Sequence, residues 1–133
     1  MRGPVMLHDG PPASRHPFDL EERTAVFGEQ VVRFCRRVPR NPVNDRLVGQ
    51  LAGAATSVGA NYCEANEAVS RKDFLCTVGR SVKEAKETRH FLRMVVASEP
   101  SFANEARPLY LEATELLRIF ASMRKKRRDL PEP

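Results

Sequence analysis

The sequence predicts an all-α fold in a single domain, an antiparallel up-down-up-down four-helix bundle. Three observations carry that expectation. Apolar residues recur at spacings of three, four and seven over long stretches, as on one face of a helix. No stretch alternates apolar and polar residues as a half-buried strand does. The 133 residues are room for one domain, since domains usually run about 100 to 200 residues. A composition of 41% hydrophobic and 29% charged residues can bury a core and lies far from that of disordered chains. Three punctuated breaks divide the chain after Pro17 into four segments of roughly 20 to 28 residues, about 30 to 40 Å each, and their short links favour antiparallel neighbours. The expected organisation is a proline-rich N-terminal arm over 1–17, the bundle over 18–128 and a short tail over 129–133.

The first segment, about Asp19 to Val38, opens on a helix-capping aspartate followed by Glu21 and Glu22. It closes on Arg36 and Arg37, as the helix dipole prefers, before Pro39 and Pro42. Leu20, Phe27, Val31, Phe34 and Val38 form its core stripe. In the second, about Asn44 to Ala68, Leu47, Leu51, Ala54, Val58, Tyr62 and Ala65 face inward, and no Lys or Arg occurs from Leu47 to Ser70. The opposite side presents Gly53, Ser57 and Ala60, small residues that let another backbone approach closely, so this helix is expected to be covered on more than one side. Gly53 and Gly59 each cost it roughly 1 kcal/mol relative to Ala, which packing has to offset. Ser70 caps the third segment, about Arg71 to Ser98, whose core stripe is Leu75, Val78, Val82, Ala85, Leu92 and Val96. Phe91, Met94 and Val95 fall well off that stripe, and apolar residues left wet on a charged helix read as an oligomer interface. The fourth segment, about Asn104 to Lys126, places Leu109, Ala113, Leu116, Phe120 and Met123 inward and runs into a basic cluster.

No run of about 18 apolar residues and no apolar leader between Met1 and Pro17 is found, so neither a membrane span nor a secretory signal is expected, and the compartment is expected to be the cytoplasm. Cys35, Cys63 and Cys76 form an odd set without a CxxC pair; they are expected to be free thiols filling apolar space. The net charge of +5 resides mainly in the tails, because residues 18–123 hold 15 basic and 14 acidic residues. That is a weaker nucleic-acid signal than a basic face.

The run LVGQLAGAATSVGANYCEA at residues 47 to 65, followed by RKDFL at 71 to 75 and KEAKETR at 83 to 89, resembles the bacterial four-helix-bundle proteins first known as products of intervening sequences in 23S ribosomal RNA genes, also labelled S23-like. The resemblance covers about residues 19 to 123. Its most specific part is Leu47, Gln50 and Leu51, then Ser57, Asn61 and Glu64, then Phe74. Where many members read asparagine-isoleucine-alanine-glutamate-glycine, this chain has Asn61-Tyr62-Cys63-Glu64-Ala65, so the turn after the second helix is expected later, near Asn66 to Ser70. The resemblance implies a homo-oligomer, a five-fold ring in characterised relatives, without established enzymatic activity. It also implies kinship with accessory subunits of reverse transcriptases that engage nucleic acid.

Ser57, Asn61 and Glu64 lie at i, i+4 and i+7 on one side of the second helix. With no histidine in that helix, they read as polar groups satisfied inside a tight interface rather than as catalysts. Glu87-x-x-His90 has the spacing of di-iron bundle ligands, but that architecture needs the motif twice and it occurs once, so no metal is expected. Arg33, Arg36, Arg37 and Arg40 end the first helix, and Arg124, Lys125, Lys126, Arg127 and Arg128 end the fourth. The two clusters belong at opposite poles of one subunit, and a ring would repeat each around its axis and strengthen phosphate binding through counterion release. Cations near helix C-termini are also expected from the dipole alone. No Gly-rich phosphate loop, nucleophile elbow or paired-carboxylate cleft is found, so neither enzymatic activity nor a cofactor nor a small-molecule substrate is expected. The expected role is a homo-oligomeric scaffold or accessory protein contacting RNA or DNA, or a nucleic-acid enzyme such as a reverse transcriptase, through its basic ends. The alternative is a structural oligomer that binds another protein and no nucleic acid.

Overall fold

A computed structural model describes residues 19–131; the expected N-terminal arm lies outside them. Four helices make up the fold: α1 (Leu20–Arg37), α2 (Pro42–Asn66), α3 (Arg71–Ser98) and α4 (Ala103–Arg128), with a short 3-10 helix, Pro100–Phe102, before α4. No strand occurs among the described residues. Local chemistry sets the starts. The Asp19 carboxylate accepts from the Glu22 N–H at 3.1 Å, and the Ser70 hydroxyl accepts from the Asp73 N–H at 3.1 Å. α2 starts two residues before the expected Asn44. Pro42 takes its first position, where a missing N–H costs nothing, and the Asn41 side chain accepts from the Asn44 N–H at 2.8 Å. The turn after α2 begins beyond Asn66, as the altered 61–65 run leads one to expect.

Each helix packs against its neighbours in chain order, and α1 closes on α4 along the thinnest seam. Between α1 and α2, Asn66 donates to Glu21 at 3.0 Å and the Cys35 thiol reaches the Val48 carbonyl at 3.7 Å. Between α2 and α3, Ser81 donates to the Val58 carbonyl at 3.0 Å. Arg89 Nη1 donates to Thr114 Oγ1 across α3 and α4 at 3.3 Å. Arg23 holds Glu112 on α4 through two bonds of 2.8 Å each. Phe27, Val31, Phe34, Leu51, Val58, Val78, Leu92, Leu116 and Phe120 fill the centre and are under 2% exposed.

Asn44 is 1% exposed, and it is the polar knot at the end of the bundle that holds the α1–α2 link. Its amide donates to the Pro39 carbonyl at 2.9 Å and to the Glu99 carboxylate at 3.0 Å, and its carbonyl accepts from the Ser98 hydroxyl. Every polar atom of the buried side chain is thereby satisfied, which is what makes its burial tolerable.

α3 is rotated from the expected orientation. Its buried residues are Thr77, Val78, Ser81, Ala85, Thr88, Leu92 and Val95, whereas Leu75, Val82 and Val96 are only half-buried. At 100° per residue, this inward line lies about 60° from the one that apolar residues alone define. The cause is the hydroxyls. Thr77 and Thr88 each donate to a carbonyl of their own helix at 2.8 Å, and Ser81 bonds α2, so these small side chains pack inward without an unpaired donor. Val95, expected to be wet, is 1% exposed and belongs to the core. Phe91 is half-buried and packs against that core, and Met94 is half-buried.

The glycines of α2 differ in what surrounds them. A Cβ at Gly59 would lie 2.8 Å from Thr24 Oγ1 and 3.0 Å from Thr24 Cβ, whereas one at Gly53 would meet nothing within 4 Å. Thr24 is buried and its hydroxyl already donates to the Leu20 carbonyl at 2.7 Å, so it cannot retreat. Gly59→Ala is therefore expected to destabilise the protein by about 1 to 2 kcal/mol despite the better helix propensity of Ala. Gly53→Ala is expected to leave the fold as stable or up to about 1 kcal/mol more stable. Urea denaturation followed by circular dichroism checks both.

Candidate nucleic-acid interface

The basic cluster at the end of α4 is laid across the start of α3. Arg124 Nε donates to the Leu75 carbonyl at 3.1 Å, and the absent side chain of Gly79 makes room for it, since a Cβ there would come within 3.2 Å of that nitrogen. The Arg127 guanidinium lies over the Phe74 ring at 5.0 Å, a cation–π contact. Arg71 donates to the Leu130 and Pro131 carbonyls at 2.7 and 2.8 Å and fastens the chain beyond α4 to α3. Arg128 pairs with Asp129 at 3.2 Å. Lys125 and Lys126 are exposed and have no ion pair among the described residues. Beside them opens a groove of about 630 Å³ lined by Phe74, Arg118, Ile119, Met123, Lys126 and Arg127. Phe74 and Arg118 were missed as members of this site. The spacing of Arg118 and Lys125, two helical turns apart, is the signal that could have found the cation, but nothing local signals that Phe74 of α3 sits under Arg127.

The cluster at the end of α1 is partly neutralised. Arg37 pairs with Glu105 at 2.7 Å, and Arg40 with Asp45 at 3.2 Å. Both contacts are solvent-exposed and worth little in stability, but they place an anion beside two of the four cations. Arg33 is half-buried and Arg36 exposed, with no ion pair at either. Because Arg37 meets the start of α4 rather than its end, the two clusters do not merge within one subunit.

Charge is divided between the helix pairs in a way that the near-neutral middle of the sequence hides. Residues 19–70 carry six basic and seven acidic residues, and residues 71–131 carry fourteen basic and eight acidic. Three of those eight acids, Glu99, Glu105 and Glu112, bond Asn44, Arg37 and Arg23 on α1 and α2. The outer surface of α3 and α4 is left with Lys72, Lys83, Lys86, Arg93, Arg107, Arg118 and Lys125 exposed.

Two of the three residues of the predicted polar set on α2, Ser57 and Asn61, bond within their own helix. Ser57 donates to the Gly53 carbonyl at 2.7 Å and the Asn61 amide to the Ser57 carbonyl at 3.0 Å. Glu64 is exposed, as are Gly53 and Ala60, while Ser57 and Asn61 are half-buried. Next to this side, a trough of about 450 Å³ between α1 and α2 has Ala25, Gly28, Val32, Gly59 and Ala60 in its lining together with the charged Glu21, Glu29 and Arg33, and Val32 is 38% exposed.

His90 is exposed, edge-on to Phe91 at 5.1 Å, and no group of three metal-ligating side chains occurs among the described residues. Burial raises the Glu84 carboxyl above its ordinary range, and the neighbouring Glu87 raises it further. The cysteines correct the expectation of buried thiols. Only Cys35 is partly buried, which pushes its thiol up to about 11, whereas Cys63 and Cys76 are exposed. No helix among the described residues is long and apolar enough to cross a membrane.

The fold and this surface define an all-α, four-helix protein with charged helix ends. The chain belongs to the 23S rRNA-intervening sequence protein family, whose model matches residues 18–122. It is similar to a protein of unknown function from the S23 ribosomal protein family of Bacteroides thetaiotaomicron, known from a crystal structure, with 25% sequence identity and a TM-score of 0.70 over 80% of this chain and 98% of that one. No curated protein matches the chain.

Proposed function

We propose that the protein is a non-enzymatic, cytoplasmic scaffold or accessory protein, a homo-oligomer of antiparallel up-down-up-down bundles, that contacts RNA or DNA, or an enzyme acting on them, through the cations at the end of α4. The observation that carries the nucleic-acid contact is the placement of Lys126, free of acids, in one groove with Arg118, Arg127 and the Phe74 ring, with the exposed and equally unpaired Lys125 next to it in the chain. Phosphates are held by such cations. The antiparallel reading is supported by contacts that pair early residues of one helix with late residues of the next, such as Glu21 with Asn66 and Asn44 with Ser98. Self-assembly, in a five-fold ring by family resemblance, is supported by the small exposed residues Gly53 and Ala60 beside half-buried Ser57 on α2 and by the mostly apolar trough next to them, which a lone subunit leaves open to water. A ring would multiply the Lys125 and Lys126 pairs around its axis.

The test is fluorescence anisotropy with labelled single-stranded RNA and duplex DNA at rising salt. Binding is expected at about 50 mM salt and is expected to weaken steeply by about 200 mM, as counterion release requires. Absence of binding at low salt would contradict the reading.

A further inference from the structure

A second groove lies at the other end of the α3–α4 pair. The 3-10 helix sets the start of α4 away from the end of α3, and its Phe102 turns inward to pack edge-on against Phe34 at 5.8 Å. The opening left has a volume of about 540 Å³, and its floor is Leu92, Val96, Ala103, Ala106, Tyr110 and Leu111. Leu111 is 61% exposed. Arg93 and Arg107 stand at the rim, exposed and without hydrogen bond or ion pair, and no acidic residue lines the groove. Behind Tyr110 lies Arg89, with its guanidinium 5.6 Å from the ring centroid, and its buried Nε has no partner. Arg93 and Arg107 therefore stand at this groove with no carboxylate to answer them.

We infer that this groove is a docking site for an acidic amphipathic segment of a partner protein, whose apolar side chains enter the floor while its carboxylates meet Arg93 and Arg107. Shape and charge choose this occupant. The groove lies between residues 92–97 of α3 and 103–111 of α4, and its leucine, valine and alanine floor takes apolar side chains as helix-in-groove recognition does. Phosphate contact would use the arginines but leave the apolar floor and Leu111 in water. The unpaired rim supplies complementarity to carboxylates and selects against basic segments. The site is separate from the Lys125 and Lys126 cluster, so it stands whether or not nucleic acid binds there.

The experiment uses the full-length protein and a fluorescein-labelled helical peptide of about 18 residues with leucines at i, i+4, i+7 and i+11 flanked by glutamates. Its control is the same peptide with lysines in place of the glutamates. Saturable binding of the acidic peptide is expected in the micromolar range, with the lysine peptide at least about tenfold weaker. Both Arg93→Glu with Arg107→Glu and, separately, Leu111→Glu are expected to weaken the acidic peptide at least about tenfold, with circular dichroism unchanged because all three residues are exposed. Lys125→Glu with Lys126→Glu is expected to leave it unchanged, which separates this site from the nucleic-acid reading. No saturable binding, equal binding of the two peptides, or loss of labelled single-stranded DNA rather than peptide on reversing Arg93 and Arg107 would overturn the assignment.

Discussion

Val95→Asp is expected to abolish the cooperative fold. Val95 is 1% exposed, the last of the buried residues along α3, and belongs to the hydrophobic core. A carboxylate there would have to stay buried without a partner or force the helix to turn, and either costs several kcal/mol. That is most of the stability an ordinary domain has. Met94→Asp, one residue away but half-buried, is expected to cost about 1 kcal/mol, a few degrees in melting temperature. Thermal denaturation by circular dichroism decides. A Val95→Asp protein that melts like wild type while its mass in solution falls would mean that Val95 lies at a subunit interface, as the apolar pattern by itself implies.

The second large effect concerns binding. Reversing Lys125 and Lys126 to glutamate removes two cations that no acid neutralises and places two carboxylates where phosphates would lie. Affinity for RNA or DNA at low salt is expected to fall about 10- to 100-fold, and the slope of affinity against salt to decrease by about two phosphate contacts. Arg36→Gln at the end of α1 is expected to change affinity less than about threefold, because Arg37 and Arg40 beside it are already paired with Glu105 and Asp45. An equal loss from both changes would mean that the two ends contribute alike. Both sites are exposed, so the fold should be untouched, which circular dichroism verifies.

The helices were legible in the sequence because their signals are local: capping side chains at Asp19 and Ser70, prolines between segments, and apolar periodicity in α1 and α4. α3 was misjudged because periodicity counted only apolar residues, whereas Thr77, Ser81 and Thr88 go inward by giving their hydroxyl protons to carbonyls. The start of α2 was missed for a similar reason. Pro42 reads as a break after α1, but it is also a suitable first residue of a helix capped by Asn41. The candidate site was half legible. The basic run at 124–128 stands out in the sequence, but the Phe74 ring under Arg127, the Gly79 gap that seats Arg124 and the pairing of Arg37 with Glu105 depend on helix register, which no local pattern gives. A near-neutral total over the body concealed that the acids of α4 turn toward α1 while its cations do not.

Size-exclusion chromatography with light scattering tests self-assembly, on which the scaffold reading rests. The chain mass is 15.0 kDa, and a single species at an integral multiple of it is expected, about five-fold if the ring holds. Gly53→Leu, at an exposed position where an added Cβ would meet nothing within 4 Å, should lower that mass without lowering helicity. A wild-type protein that elutes at 15.0 kDa across micromolar concentrations, with Gly53 and Ala60 of α2 in water, would contradict the account.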